Sequence, residues 1–174
     1  CQLLWDGRAV ARTDAFVEKS IERAVRRLAP ELLRYFLRRV HPADSAADCV
    51  GEVFLALWRR RARFPKSEDE QRAWCFGIAH HVLANHYRST SRRVALTERL
   101  RDELGRSGTS VTAGSGELAD ALSQLRSADR DLVLLVAWEG LTLAEAASAL
   151  GIRYAAAHKR HARARAKLRV LMSR

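Results

Sequence analysis

Residues 140–164 read GLTLAEAASALGIRYAAAHKRHARA, and this stretch decides the fold of the C-terminal part of the chain. Thr142 and Glu145 have the spacing of a capping box, in which a hydroxyl and a carboxylate three residues apart satisfy the first backbone N–H groups of a helix. A short helix is predicted to follow. Gly151 then supplies a tight turn, because a side chain there would crowd the next helix. With a long basic helix predicted over residues 154–172, the pattern is typical of a helix-turn-helix.

The second helix of this pair carries the predicted contacts with duplex DNA. From Gly151 onward the chain has eight basic residues and no acidic one. A helix after such a turn enters the major groove and reads base edges near its N-terminal half, while other basic side chains neutralise phosphates. A solvated basic helix without a ligand is the alternative, but the preceding turn favours DNA. The predicted contacts with the duplex are His158, Lys159, Arg160, Ala162, Arg163 and Arg165.

The composition of the whole chain favours a helical protein with a polyanionic partner. Its 174 residues include 31 Lys plus Arg against 20 Asp plus Glu, and the net charge is +11. With only 9 Gly and 3 Pro, and with abundant Ala, Leu and Arg, helices are favoured. We predict an all-α chain of two small helical domains, residues 1–93 and 117–174. The segment between them, residues 94–116, ends in GRSGTSVTAGSG and is predicted to be a flexible linker.

Composition also excludes two classes of protein. No apolar run approaches the roughly 18 residues that a helix needs to cross a bilayer, so an integral membrane protein is not expected. The three Cys residues are widely spaced, which does not indicate a disulfide scaffold. A cytoplasmic protein fits these features best.

Three helices are predicted in the first domain. Residues 13–40 form a helix with a break near Pro30, since proline interrupts the hydrogen-bond ladder. Asp44 or Ser45 is predicted to cap the second helix, and residues 71–89 form the third. One apolar face of the second helix comprises Val50, Val53, Phe54, Leu57 and Trp58.

Three segments together resemble the extracytoplasmic-function sigma factors, which are small two-domain bacterial transcription initiation factors. DSAADCVGEVFLALW, residues 44–58, resembles the helix that such factors present to core RNA polymerase. RAWCFGIAHHVLANHYR, residues 72–88, resembles the helix that meets the −10 promoter element. Residues 125–168 resemble the domain that reads the −35 element. One helix-turn-helix alone is weakly specific, whereas the three segments in this order are strongly specific.

The resemblance implies a factor that binds core RNA polymerase, selects promoters and melts the −10 region, without bond chemistry or a cofactor of its own. Asp48, Glu52 and Leu55 lie away from the apolar face of their helix and are predicted to dock on the clamp helices of the largest polymerase subunit. Residues 64–70 and the following helix would hold a flipped −10 base. An anti-sigma protein is a further partner that the resemblance implies. The predicted −10 contacts are Phe64, Lys66, His81, Asn85, Arg88 and Arg92.

Five residues depart from the family pattern, and one of them is Asn85, which stands where Asp is common. Gly51 stands where Gln is usual, which removes a polar contact and costs about 1 kcal/mol of helix propensity. His81 replaces a common Asn, and because it has a different reach and a pH-dependent charge, a −10 base preference unlike that of the family is expected. Ala156 and His158 stand where Thr and a basic residue are frequent. These two changes favour an unusual −35 preference or a weaker reliance on that element.

The sequence is compatible with several alternative interpretations. Trp74 could stack on a base, but its four-residue spacing with Ile78 and Val82 favours core packing. His80, His81, His86 and Cys75 lack metal-ligand spacing, and no metal site is predicted. A metal-dependent nuclease is the enzyme-class alternative, although the parts of a catalytic site are missing. A stand-alone helix-turn-helix regulator is the strongest rival, and an adaptor that binds only protein is the third.

Overall fold

The structure is a computed structural model that describes the backbone of residues 7–103 and 116–173, and the side chains of residues 17–96 and 116–173. Within these ranges every regular element is helical. The first four are α1 (Gly7–Leu37), α2 (Ala43–Arg59), a single 3₁₀ turn (Arg61–Arg63) and α3 (Glu68–Glu103). The remaining four are α4 (Glu117–Ser123), α5 (Ser127–Ala137), α6 (Leu143–Ala149) and α7 (Tyr154–Met172). The predicted all-α class is confirmed.

The chain forms two compact units, Cys1–Val82 and Leu83–Arg174, so the division falls inside α3. The predicted boundary at residue 93 lies farther along the same helix. Because residues 89–103 contain neither Gly nor Pro, nothing in the sequence interrupts α3 before Glu103, and the predicted helix end near residue 89 is wrong. The first part of the predicted linker is therefore helical, while residues 104–115 lie outside the described residues.

In the first unit, α1 packs against α2 and continues through Pro30. The predicted break near that residue is wrong. Leu28 and Leu32 flank the proline and are both buried, so packing holds the helix on either side of it. A proline inside a helix costs about 3 kcal/mol, which burial of these two side chains can offset at about 1.5–3 kcal/mol each. Tyr35 and Phe36 extend the core towards Phe76 of α3, and the rings of Tyr35 and Phe76 meet edge to face at 5.7 Å.

Two details of α2 differ from expectation. Pro42 occupies the N-cap position without a side-chain cap, so neither Asp44 nor Ser45 caps the helix. Asp44 instead lies in the first turn, where its charge suits the positive end of the helix dipole. The buried stripe includes Val50, Val53 and Leu57, whereas Trp58 is 46% exposed. Trp58 therefore does not belong to the core face predicted for it.

In the second unit, α7 packs against α4, α5 and α6 around Leu122, Leu125, Val133 and Ala164. The predicted capping box opens α6 and is confirmed. The Thr142 hydroxyl accepts from the Glu145 backbone N–H at 3.2 Å, and the Glu145 carboxylate accepts from the Thr142 N–H at 2.6 Å.

Gly151 ends α6 in a left-handed conformation with φ +65. Its N–H donates to Ser148 and the N–H of Ile152 donates to Ala147, which is the pattern of a Schellman turn. A Cβ at Gly151 would meet nothing within 4 Å. The sequence argument chose the right residue for the wrong reason: glycine is needed here for its backbone angle, and crowding plays no part.

A search of the described helices for a membrane span found none of sufficient length and apolarity.

Candidate nucleic-acid and protein interfaces

The exposed face of α2 carries the three predicted docking residues. Asp48, Glu52 and Leu55 follow one another at helical spacing and are all exposed, and Leu55 is 57% accessible. Neither carboxylate forms an ion pair within the part of the chain that the structure describes. Trp58 extends the same side of the helix, and Phe54 is half-buried beside it. The result is an acidic edge with apolar neighbours, which is complementary to a basic helical partner.

Two cysteines of the first unit lie among the described residues, and both are structural. Cys49 and Cys75 are both buried and unbridged. Burial, together with the charges of Glu52 and Asp48, raises the pKa of the Cys49 thiol. Burial raises the pKa of the Cys75 thiol to about 12, although the nearby Arg27 acts in the opposite direction. Neither residue is therefore a reactive thiolate near neutral pH.

A surface cavity of about 740 Å³ lies between α1 and the connection that leads into α3. Phe64 and Lys66, both predicted −10 contacts, line it together with Arg23 and Arg27. Phe64 is half-buried, and its ring meets that of Trp74 at 5.6 Å in a T-shaped arrangement. Cationic groups thus surround a space large enough for a nucleotide.

Gln71 ties this connection to α1, and the sequence did not reveal that role. The side chain is only 5% exposed. Its amide nitrogen donates to the Pro65 carbonyl at 3.0 Å and to the Ser20 hydroxyl at 3.3 Å, and its amide oxygen accepts from Arg27 at 3.2 Å. Arg27 also pairs with Glu68 at the start of α3. One buried amide therefore fixes the geometry of the connection.

We expect the Gln71→Leu variant to loosen this connection, because leucine fills a similar volume but forms none of these hydrogen bonds. The cost should be about 1–3 kcal/mol, since buried backbone acceptors lose their partner. Hydrogen–deuterium exchange of peptides that cover residues 64–70 measures the effect, and exchange there should accelerate at least fivefold, as about 1 kcal/mol implies.

Gln124→Leu is the matched control, because the Gln124 side chain is exposed. It should leave exchange at residues 64–70 unchanged. Equal protection in the Gln71 variant and the wild type would contradict the role assigned to the buried amide.

The other predicted −10 residues lie on one exposed face of α3. His81, Asn85, Arg88 and Arg92 follow at helical spacing, and all four are exposed. The Asn85 side-chain oxygen accepts from Arg88, and the Arg92 Nε donates to the Arg88 carbonyl at 3.3 Å. The predicted residues therefore form two groups, one at the cavity and one along this face. Arg88 and Arg92 place positive charge along this face, which suits a polyanion.

On α7, five of the six predicted duplex contacts are exposed. Ala157 and Ala164 are buried against the unit, which turns Lys159, Ala162 and Arg163 outward. His158 and Arg165 border this outward face on one side. Arg160 differs because it is half-buried. None of the four basic residues predicted on α7 pairs with a carboxylate in the described parts of the chain.

The small side chains of this motif explain how its helices approach closely. Ala146, Ala147 and Ala149 of α6 and Ala157 of α7 are buried. Such small residues let α6 pack on α7 with the outer face of α7 left uncovered.

His161 is half-buried on the flank of α7, where burial, Arg165 and His158 lower its pKa. Its imidazole is therefore neutral near pH 7 and adds no charge to the basic face.

The sequence interpretation missed the arginines at the end of α2. Arg59, Arg60, Arg61 and Arg63 are all exposed, and three of them line a second cavity with Trp74. Four arginines within five residues were a visible signal.

Trp74 itself is half-buried, so it belongs neither wholly to the core nor wholly to the surface. Among the described residues, no group of three or more His, Cys, Asp or Glu side chains could hold a metal ion.

Comparison with known proteins places both units in families. The family model "Sigma-70 region 2" matches residues 24–93, and "Sigma-70, region 4" matches residues 115–168. The first match includes the exposed faces of α2 and α3, and the second includes the helix-turn-helix.

Relatives and solved structures extend this similarity over most of the chain. The chain is 32% identical to "ECF RNA polymerase sigma factor SigF" of Caulobacter vibrioides, over 75% of this chain and 73% of the relative. It is 28% identical to "RNA polymerase sigma factor YlaC" of Bacillus subtilis, over 89% of this chain and 93% of the relative. The solved structure of CnrH in complex with the cytosolic domain of CnrY aligns with a TM-score of 0.61 at 28% identity. That alignment covers 90% of this chain and 89% of CnrH.

Proposed function

The chain belongs to the extracytoplasmic-function sigma factors, and from this premise we propose which of its surfaces carry out each step of promoter selection. As a member of that family it binds core RNA polymerase and directs it to specific promoters, recognising −35 duplex and melted −10 DNA. The assignment of these steps to residues is our proposal. The residue 1–93 segment docks on polymerase and holds the −10 element, and the residue 117–174 segment reads the −35 element.

The exposed face of α2 is the polymerase-docking surface. Asp48, Glu52 and Leu55 face a basic helical partner, the clamp helices of the largest subunit. Support comes from their exposure and from the two carboxylates, which have no ion-pair partner within the described residues. This acidic edge is the single observation that carries the assignment, because a regulator that acts alone has no use for it. Gly51 lies on the same side of α2. Because it has no side chain, it leaves the helix backbone accessible at the position where the family usually has Gln.

The connection at residues 64–70 and the exposed face of α3 hold melted −10 DNA. A base read from a single strand needs a pocket, because its Watson–Crick edge is accessible only after unstacking. Phe64 and Lys66 line a cavity of suitable size, while His81 and Asn85 offer polar groups to a base edge. Arg88 and Arg92 follow the backbone phosphates of the strand.

The outward face of α7 reads the −35 duplex. His158, Lys159, Ala162 and Arg163 approach base edges, and Arg165 neutralises phosphate. Arg160 contributes less to DNA binding than its neighbours, because it is half-buried and they are exposed. A face that includes the exposed Ala156 and Ala162 suits apolar contact with thymine methyl groups.

A second protein regulates access to these surfaces. CnrH, to which this chain is similar, has been solved in complex with the cytosolic domain of CnrY, and an anti-sigma partner is proposed here on that basis. The chain acts in the cytoplasm, where its polymerase and promoters are. It makes or breaks no covalent bond itself, since the family consists of initiation factors and the polymerase supplies the chemistry.

In-vitro transcription tests the proposal. Purified chain and bacterial core RNA polymerase are incubated with a pool of genomic promoter fragments from the source organism. Discrete start sites that core polymerase alone does not produce are expected. Absence of such transcripts, together with binding of duplex DNA by the chain alone, would instead support the stand-alone regulator. Loss of all DNA binding would support the adaptor.

A further inference from the structure

A small cleft on the flank of α7 contains two residues that have no role in the surfaces assigned above. Its volume is about 280 Å³. His161 and Arg169 are the unassigned residues, and they line the cleft together with His158 and Arg165. The other two lining residues are alanines. Because an alanine side chain ends at its Cβ, the longer imidazole and guanidinium groups surround a hollow, here called the α7 cleft.

Helical geometry explains why these four side chains share one cleft. They lie at positions 158, 161, 165 and 169, which is the i, i+3, i+7, i+11 spacing of a single helix face. Ala157 and Ala164 are buried and define the side of α7 that packs against the rest of the unit. His161 borders that side and is half-buried, whereas the other three residues are exposed. His161 is therefore the least accessible of the four.

The α7 cleft concentrates positive charge and hydrogen-bond donors. Within the described residues, neither Arg165 nor Arg169 pairs with a carboxylate. From Gly151 onward the chain has no acidic residue that could compensate them. A guanidinium group and a protonated imidazole offer only N–H donors, and a phosphodiester oxygen offers only acceptor lone pairs. Phosphate is therefore the ligand chemistry that this cleft matches.

His161 decides whether the cleft carries its full charge. Burial, followed by Arg165 and His158, lowers the pKa of His161, so its imidazole is neutral in the free chain near neutral pH. A phosphate in the cleft would act in the opposite direction, because a negative charge within about 4–6 Å favours the protonated imidazole. Binding of a phosphate and protonation of His161 would thus strengthen each other.

The charges that act on His161 come from α7 itself. The helices α4, α5 and α6 pack against α7, but the causes of the lowered pKa are burial and two residues of α7. The Glu145 carboxylate is engaged in the capping box of its own helix. The charged side chains of these three helices are Glu117, Asp120, Asp129, Arg130, Asp131 and Glu145. A ligand in the α7 cleft is therefore well placed to change the charge of His161.

We propose that the α7 cleft holds one backbone phosphate of the −35 duplex and that His161 takes up a proton when this phosphate binds. The phosphate oxygens accept hydrogen bonds from Arg165, Arg169 and the protonated imidazole. The proton comes from the solution, and no covalent bond of the DNA changes. The inference rests on the proposed function, which places a duplex along α7. It goes beyond that function because it makes promoter binding depend on pH.

The direction of the pH effect follows from the two states of His161. At high pH the imidazole is neutral with and without DNA, so the affinity does not change with pH through this residue. Below the pKa that His161 has in the complex, the bound chain holds one proton more than the free chain, and the affinity rises as the pH falls. Below the lowered pKa of the free chain the gain is complete. A gain of about tenfold is expected from about pH 8 to about pH 5.

Anisotropy of a fluorescein-labelled duplex, bound by the full chain at low salt, measures this gain. A duplex of arbitrary sequence suffices, because its phosphates carry no sequence information. The test variant is His161→Gln, which is uncharged at every pH. The control is His41→Gln, which removes an exposed histidine of the first unit. From about pH 8 to about pH 5, the wild type and the control should gain about tenfold more affinity than the test variant.

A second variant and a direct observation of the proton keep the test independent of how one substitution folds. His161→Leu fills the half-buried position without a charge and should lose the same gain. In the wild-type chain, the imidazole Cε1–H signal of His161 in NMR spectra should titrate at a higher pH with the duplex than without it. Inorganic phosphate at the same phosphate concentration should move this titration less, because a free ion lacks the flanking contacts of a duplex.

Three results would overturn the proposal. One is an unchanged His161 titration when the duplex binds, and another is an equal pH gain in the wild type and both His161 variants. The third is an equal effect of inorganic phosphate, which would make the cleft a general anion site. Transcription with core polymerase, run in parallel, tests the proposed function separately. Missing transcripts would overturn that function, while the His161 titration would still decide whether the α7 cleft holds a phosphate of a duplex.

Discussion

The Asp48→Arg variant is expected to lose promoter-directed transcription, because the substitution places a positive charge on the face of α2 that we propose meets a basic partner. Loss of a charge pair across an interface, with repulsion in its place, costs about 2–5 kcal/mol. Affinity for core RNA polymerase should therefore fall by about 30-fold or more. Titration of core polymerase into labelled chain measures this affinity directly, and the transcript yield reports its consequence.

Glu18→Arg is the matched control for this charge reversal. Glu18 is an exposed acidic residue on α1, so its substitution changes the net charge by the same amount. It should leave the affinity for core polymerase within about twofold, since surface changes away from a contact cost less than about 0.5 kcal/mol. Asp48 is also exposed, and thermal unfolding of both variants should match the wild type. An Asp48→Arg variant that binds core polymerase normally would remove α2 from the docking surface.

Local sequence rules predicted those parts of the fold that depend on near neighbours. The capping box of Thr142 and Glu145 involves residues three apart, so its hydrogen bonds are specified by the sequence. The exposed positions of Asp48, Glu52 and Leu55 follow from helical periodicity alone. For the same reason the outward direction of Lys159 and Ala162 could be predicted once the turn at Gly151 was recognised.

The same local rules gave wrong predictions where contacts between residues distant in sequence determine the structure. Pro30 predicts a break in a helix considered alone, but burial of Leu28 and Leu32 outweighs that tendency. Trp58 has the right spacing for the apolar face of α2, yet the width of the buried stripe depends on how much of α2 its neighbours cover. Periodicity does not carry that information.

The connection at residues 64–70 shows that local sequence rules also miss long-range contacts at a candidate functional site. Gln71 reaches Ser20, 51 residues earlier in the chain, and a single polar residue gives no local sign of such a contact. The run of arginines at residues 59–63 was visible in the sequence, but the position of Trp74 beside three of them depends on how the next helix packs. A charge pattern therefore indicates a polyanion, whereas tertiary packing decides which other side chains lie beside the charges.

The second large effect is expected from Ala162→Glu on α7. Ala162 lies on the outward face between Lys159 and Arg163, where the major groove of the −35 element would be. A carboxylate there would meet phosphates and base acceptors, and it would pair with Lys159 or Arg163, which we propose contact DNA. Like-charge contact at an interface costs several kcal/mol, so holoenzyme affinity for a promoter should fall by about 100-fold. Anisotropy with a labelled promoter fragment identified by transcription gives the measurement.

Val170→Glu separates a local clash from a general loss of positive charge. Val170 is 56% exposed and lies two turns farther along the same helix, so the variant carries the same net charge without entering the N-terminal half of α7. It should bind the promoter within about threefold of the wild type, because a distant surface charge is largely screened.

A promoter with a scrambled −35 element provides the second comparison. On that fragment Ala162→Glu should cost little, because the contacts that it disrupts are already absent; an equal loss on both fragments would show that α7 holds DNA without reading it.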